Sequence, residues 1–217
     1  MRYKLYREHK YISCAVNDVV RLIAKTDFTS LTETEKVTKA LQGLWAVLAW
    51  HSQYEDEILH PMLSQKGVYS YAQLEADHLE NKQKIIAIDN LLIAITESSN
   101  AEDQIEFGCQ LYLRFRKFSA ENLEHLDLEE VLLLPEFHRF YSDSELRDAE
   151  FEVYKSMSIE HMIHAIKTMF SYMNRQDRFV ILNDIKICDA VRFAALWQAI
   201  QIDIEPAERA DLAHKLS

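Results

Sequence analysis

The chain has 217 residues, with only 3 glycines and 3 prolines, and its 24 basic and 35 acidic residues give a net charge of -11. So few turn residues exclude a β-sandwich or barrel, and the motifs of glycine-rich phosphate loops are absent. An acidic surface repels phosphates, and no stretch nears 18 continuous apolar residues, so we expect neither nucleic acid nor a membrane as a partner. Three widely separated cysteines and an N-terminus without an apolar signal segment favour a cytoplasmic protein.

Apolar residues recur at helical spacing through the first two thirds of the chain. The pattern predicts four long helices, over 2–25, 32–62, 69–97 and 101–134. Thr32, with Glu35 three residues later, has the pattern of a capping box at the start of the second helix. Because short loops join these helices, neighbours should be antiparallel, and we predict an all-α fold built on an up-down-up-down four-helix bundle.

The pattern changes after Pro135, where the helices become shorter. We expect these over 144–155, 157–173, 175–201 and 205–216. Two domains are therefore predicted, the bundle over 1–142 and a C-terminal helical extension over 143–217. The extension either leans on the bundle or supports a homodimer, and the sequence gives it no chemical role.

Each predicted bundle helix carries an apolar seam, which one polar stretch interrupts. Every stretch contains a histidine, and these are His9, His51, His78 and His125. Because successive helices run in opposite directions, all four imidazoles should lie about 10–17 Å from the same end of the bundle. In the second and fourth helices a glutamate follows one turn later on the same face, namely Glu55 and Glu129. The seams then continue through Ile58 and Met62 in the second helix and Leu132 in the fourth.

These two helices also share the motif H-x3-E-x5-P, which begins at His51 and again at His125. An unpaired buried carboxylate is costly, and no basic residue on the seams is placed to neutralise Glu55 or Glu129. Matched histidine and glutamate sets at one level therefore predict a symmetric pair of metal ions. Imidazole with carboxylate suits iron, manganese or zinc.

Other polar residues have simpler expected roles. The histidines off the seams or outside the bundle are expected to be structural, and these are His60, His138, His161, His164 and His214. The spacing of His161 and His164 leaves a weak second metal site open. Asp56, Glu57 and Glu130 should be solvated or should contact the metal ligands from outside.

With these motifs the chain resembles the hemerythrin-like, or HHE cation-binding, domain family over about residues 1–135. The resemblance implies a non-haem di-iron centre with an oxo or hydroxo bridge, in which Glu55 and Glu129 are the bridging carboxylates. It also implies two terminal histidines for each iron, drawn from His9, His51, His78 and His125. Lys82 stands where the invertebrate oxygen carriers of the family have a further histidine, so their five-histidine site is absent.

Three functions are open for such a centre. The first, which we favour, is a protein that binds or senses O2, NO, peroxide or iron without catalysis. The second is a di-iron oxidase or peroxidase, although the seams offer no general acid. The third is a structural or interaction protein that its metals hold together. Asn81 and Asn122, one turn above the histidines, should either hydrogen-bond within the bundle or donate to a small ligand at the metals.

Overall fold

The computed structural model describes residues 2–216, which are largely helical and contain no strand. The all-α fold expected from the sequence is therefore confirmed. These residues form two compact units, one of them Leu5–Phe140 and the other made of residues 2–4 and 141–216. The outer limits of the predicted domains, at residues 1 and 217, lie outside the described residues. No helix in the described part of the chain combines the length and the apolar composition that a membrane crossing requires.

The Leu5–Phe140 unit is the predicted four-helix bundle. Its helices are α1 (His9–Lys25), α2 (Leu31–Tyr54), α3 (His60–Gln65), α4 (Ala72–Glu97), α5 (Ala101–Leu128) and α6 (Leu134–Phe140). Both α1 and α4 pack against α2 and against α5, so the four long helices form a closed ring. Apolar side chains at helical spacing fill the interior, among them Leu41, Leu44, Leu111 and Phe115. Burial of each such side chain contributes about 1.5–3 kcal/mol.

Two π-helical turns interrupt the bundle at equivalent places. One spans Glu55–Leu59 between α2 and α3, and the other spans Glu129–Leu133 between α5 and α6. The carbonyl of the glutamate that begins each turn accepts a hydrogen bond from the N–H five residues later. Such turns are rare and are often found at functional sites.

Each π turn shifts the buried face by one residue, which corrects the predicted seams. The seam residues Ile58, Met62 and Leu132 were expected to face the interior, but none of the three is buried. The next residue along the chain is buried in each case, and these are Leu59, Leu63 and Leu133. The wider turn accommodates one extra residue, so every later side chain rotates relative to an uninterrupted α-helix.

One predicted helix start and one predicted N-cap in the bundle are also wrong. The first helix begins at His9 rather than residue 2, because Tyr6 has a left-handed φ of 63° that a continuing helix does not adopt. The second begins at Leu31, and its N-cap is Ser30, whose side chain accepts a hydrogen bond from the Glu33 N–H. The capping residue therefore lies two positions before the predicted Thr32.

The other unit is a pack of short helices. They are α7 (Asp143–Ser156), α8 (Ile159–Phe170), α9 (Arg175–Cys188), α10 (Ala190–Ile200) and α11 (Pro206–Lys215). The single helix predicted over 175–201 is wrong, because Asp189 has an extended backbone that ends α9, and its side chain caps α10. Residues 2–4 join this unit through Arg2, whose Nε lies 2.8 Å from the carboxylate of Asp143.

Candidate metal centre

The four seam histidines and the two seam glutamates meet inside the bundle, and all six are buried. The histidine rings pair between helices. The ring centroids of His9 and His51 lie 4.9 Å apart, and those of His78 and His125 lie 4.8 Å apart. The structure thus brings together all six residues that the sequence predicts as ligands of the paired metals.

The six residues form two overlapping groups whose potential ligand atoms lie within 4.8 Å of one another. One group is His9, His51, Glu55 and Glu129, and the other is Glu55, His78, His125 and Glu129. Oε1 of Glu129 lies 2.7 Å from Nε2 of His125, and its Oε2 lies 3.3 Å from Nε2 of His9. Both carboxylates belong to both groups, so each would be shared if both groups held a metal ion.

Each histidine has a further carboxylate on the outer side of its ring. The outer pairs, with their Nδ1–oxygen distances, are His9–Glu130 (3.1 Å), His51–Glu8 (3.4 Å), His78–Asp56 (2.9 Å) and His125–Asp77 (3.5 Å). At His9 and His78 the carboxylate is within hydrogen-bond distance, which favours a proton on Nδ1 and leaves the Nε2 lone pair for a metal ion. The Nδ1 atoms of His51 and His125 make no hydrogen bond to any residue that the structure describes. Asp56 and Glu130 thus contact two of the predicted metal ligands from outside, one of the two roles expected for them. Glu57 is exposed to solvent, which is the other expected role.

The two central carboxylates carry charge that no lysine or arginine balances. Over residues 2–216, neither Glu55 nor Glu129 contacts a lysine or arginine, and none of their four oxygens makes a hydrogen bond of good geometry. Burial, together with the charge of Glu129, raises the pKa of Glu55 above its usual value. Burial acts the same way on Glu129, but its contacts with His125, His51 and His78 outweigh it and lower that pKa.

The donor set fits a pair of divalent transition-metal ions. Buried and unsatisfied carboxylate oxygens face imidazole Nε2 atoms, and both donor types suit iron, manganese and zinc. Two histidines and two shared carboxylates would give each ion four protein ligands, which leaves room for a small molecule on a metal with higher coordination.

A cavity of about 70 Å³ lies beside the centre. It is lined by three of the histidines, His51, His78 and His125, and by both asparagines that the sequence singled out, Asn81 and Asn122. Asn122 is buried, and its Oδ1 has no hydrogen-bond partner among the residues that the structure describes. Most other lining residues are apolar, among them Leu48, Ala49, Ile85 and Phe118.

Sequence reasoning missed Tyr6, which lies beside the centre. Its ring centroid is 4.6 Å from that of His9, and its buried hydroxyl has no hydrogen-bond partner within residues 2–216. Burial, with the charges of Glu55 and Glu129, raises the pKa of the hydroxyl well above its usual value. The backbone of Tyr6 has a left-handed conformation, which is uncommon for tyrosine and is often found at functional sites. No motif in the sequence indicates it.

The two histidines that the sequence left open as a weak second site are His161 and His164, and neither belongs to a group of three or more converging ligands within the described residues. Comparison with known proteins points to the bundle instead. Residues 1–137 match the family model described as "Hemerythrin HHE cation binding domain", a span that includes all six residues of the centre. No curated protein and no solved structure matches the chain.

Proposed function

The chain belongs to the hemerythrin HHE cation-binding domain family, and from this premise we propose that it holds two iron ions and binds or senses a small ligand such as O2, NO or peroxide. The observation that carries the proposal is the pair of ligand groups that share Glu55 and Glu129. Bound iron would supply reversible redox chemistry and coordination positions open to the ligand. Manganese and zinc are alternatives with the same donors.

The proposed division of the ligands follows the two groups. His9 and His51 would hold one ion, and His78 and His125 the other, with both glutamate carboxylates shared. At His9 and His78 the outer carboxylates, Glu130 and Asp56, lie within hydrogen-bond distance of Nδ1 and would hold the proton there, with Nε2 free to bind.

The cavity favours ligand binding over a purely structural role for the metals. Its volume of about 70 Å³ is roughly that of two water molecules in the liquid, enough for a diatomic molecule. The amides of Asn81 and Asn122 offer hydrogen bonds to a molecule there, and the largely apolar lining strengthens such bonds. These features support a site that admits small ligands.

The oxidase or peroxidase alternative requires a group that releases a proton near neutral pH. Tyr6 carries a buried proton beside the centre, but its raised pKa keeps the hydroxyl protonated and works against that role. The hydroxyl is better suited to donate a hydrogen bond than to act as a general acid. Binding or sensing is therefore the function that we propose.

The test is metal analysis followed by ligand titration of the purified full chain. We expect two irons per chain, and a reversible change of the visible spectrum with O2 or NO. Asn122→Leu should retain the iron but weaken ligand binding by on the order of tenfold, the equivalent of one hydrogen bond. Asn90→Leu, at an exposed position of α4, is the matched control and should change neither.

Other outcomes separate the alternatives. Sustained turnover of peroxide would favour the enzyme, and a colourless protein containing zinc, with no response to either gas, would favour the structural role. Wild-type ligand affinity in both Asn81→Leu and Asn122→Leu, with the iron intact, would assign the two asparagines a structural role only.

A further inference from the structure

A third group of metal-ligand side chains lies outside the two groups that share Glu55 and Glu129. It consists of Asp56, His60 and Glu75, whose ligand atoms lie within 4.8 Å of one another. The three residues come from the first π turn, the start of α3 and the first turn of α4. One imidazole and two carboxylates of the bundle therefore also lie close together, near the N-terminal end of α4.

His60 is a buried ring whose nitrogens are unsatisfied. It is 0% exposed, and neither ring nitrogen makes a hydrogen bond of good geometry to any described residue. The ring stacks on Tyr71, with centroids 4.7 Å apart and an interplanar angle of 11°, and lies 6.1 Å from the nearly parallel ring of His78. The large majority of buried polar side-chain atoms have a hydrogen-bond partner. His60 instead has the fixed orientation and unmet bonding of a preorganised ligand.

Two carboxylates converge on one nitrogen of this ring. Oδ1 of Asp56 and Oε1 of Glu75 each lie 3.4 Å from Nδ1 of His60. One N–H can satisfy only one of two such acceptors well, and both distances exceed the usual range of about 2.7–3.2 Å. A cation among the three groups would balance both charges. The Asp56 and Glu75 side chains are 34% and 46% exposed, so an ion can reach them from solvent.

We propose that Asp56, His60 and Glu75 bind a third divalent transition-metal ion, for which zinc is the best match. One imidazole and two carboxylates, with water as a further ligand, are donors that zinc accepts in tetrahedral sites. Oδ1 of Asp56 also lies 2.9 Å from Nδ1 of His78, so one carboxylate serves this site and the dinuclear centre. Asp56 would therefore link the third ion to His78, one of the proposed ligands of the dinuclear centre.

The test is a titration of iron-loaded full-length protein with Zn²⁺ against a chromophoric zinc indicator, with iron measured in parallel. We expect uptake of one zinc per chain without loss of iron. Glu75→Gln removes one ligand at a half-exposed position and should weaken zinc binding on the order of tenfold or more. Glu80→Gln, which removes the same charge from an exposed position of the same helix, should leave it unchanged. His60→Phe keeps an aromatic ring on Tyr71 and should abolish the uptake.

Wild-type zinc affinity in Glu75→Gln would overturn the proposal, as would zinc that enters only as iron leaves. Metal-free protein keeps the test independent of the proposed function, in case iron does not load. Zinc uptake there that Glu75→Gln lowers by one ion per chain, both in the wild type and in the Glu55→Ala background, would support the third site. Uptake that only Glu55→Ala reduces would assign all bound zinc to the dinuclear centre and contradict it.

Discussion

The two central glutamates occupy equivalent positions in the repeated motif but differ in charge environment. Glu129 has close contacts to histidine on both of its oxygens, at 2.7 Å to His125 and 3.3 Å to His9. The shortest contacts of Glu55 are 3.3 Å to His78 and 3.4 Å to His51, and both involve its Oε2. Burial therefore dominates at Glu55 and raises its pKa, whereas histidine contacts dominate at Glu129 and lower it.

These directions predict opposite effects of two isosteric substitutions on the metal-free protein. A raised folded-state pKa means that ionised Glu55 destabilises the fold above its unfolded pKa, so Glu55→Gln should increase the free energy of unfolding at pH 7. The lowered pKa of Glu129 means that its ionised form stabilises the fold at any pH above the unfolded-state pKa, and that this stability is lost as the pH falls through the folded-state pKa. Glu129→Gln should therefore decrease the free energy of unfolding at pH 7. Changes of roughly 0.5–3 kcal/mol are expected in urea unfolding. Both variants should also bind less iron; full iron content in both would contradict the bridging roles.

At the scale of elements, the long apolar seams predict the four-helix bundle. The periodicity of apolar residues does not predict where the backbone departs from α-helical geometry. Six apolar positions in α1 leave little doubt about a helix, yet the left-handed Tyr6 just before it has no sequence signal. The only sequence signal of the π turns is a proline, which follows six residues after Glu55 and again six residues after Glu129. Proline lacks an N–H and breaks the α-helical hydrogen-bond ladder at that point, so the trailing proline of the motif was the usable hint.

The shifted register after the second π turn predicts a reversal of stability effects at two adjacent leucines. Leu133 is 0% exposed and Leu132 is 45% exposed, the opposite of the uninterrupted seam. Leu133→Ala should lower the free energy of unfolding by about 2–5 kcal/mol, because it leaves a cavity in the core. Leu132→Ala should change it by less than about 1 kcal/mol. Urea unfolding of the two variants makes the comparison, and equal losses would mean that α5 continues without the extra residue.

At the scale of the whole molecule, the centre could be predicted because its ligands come from all four bundle helices at one level. Matching depth and a repeated motif are visible in sequence, and they led to His9, His51, His78 and His125. The third group could not be found in this way, since His60 lies off the seams and gains its partner Glu75 only through the packing of α3 near the start of α4. The described units also differ from the predicted division, because residues 2–4 belong with 141–216. Whether the units are independent domains stays a prediction.

If the bundle is independent, residues 141–217 should not be needed for iron binding. Every group of converging ligands found within residues 2–216 lies inside Leu5–Phe140, and that unit has its own apolar core. A protease site inserted between Phe140 and Tyr141 allows the intact, iron-loaded chain to be cut after folding, which avoids any failure of a truncated chain to fold. After cleavage and separation, we expect two irons to remain with the bundle fragment, and its circular dichroism to stay helical. Uncleaved protein carried through the same steps is the control. A helical bundle fragment that releases its iron would show that residues 141–217 supply a ligand or hold the centre closed.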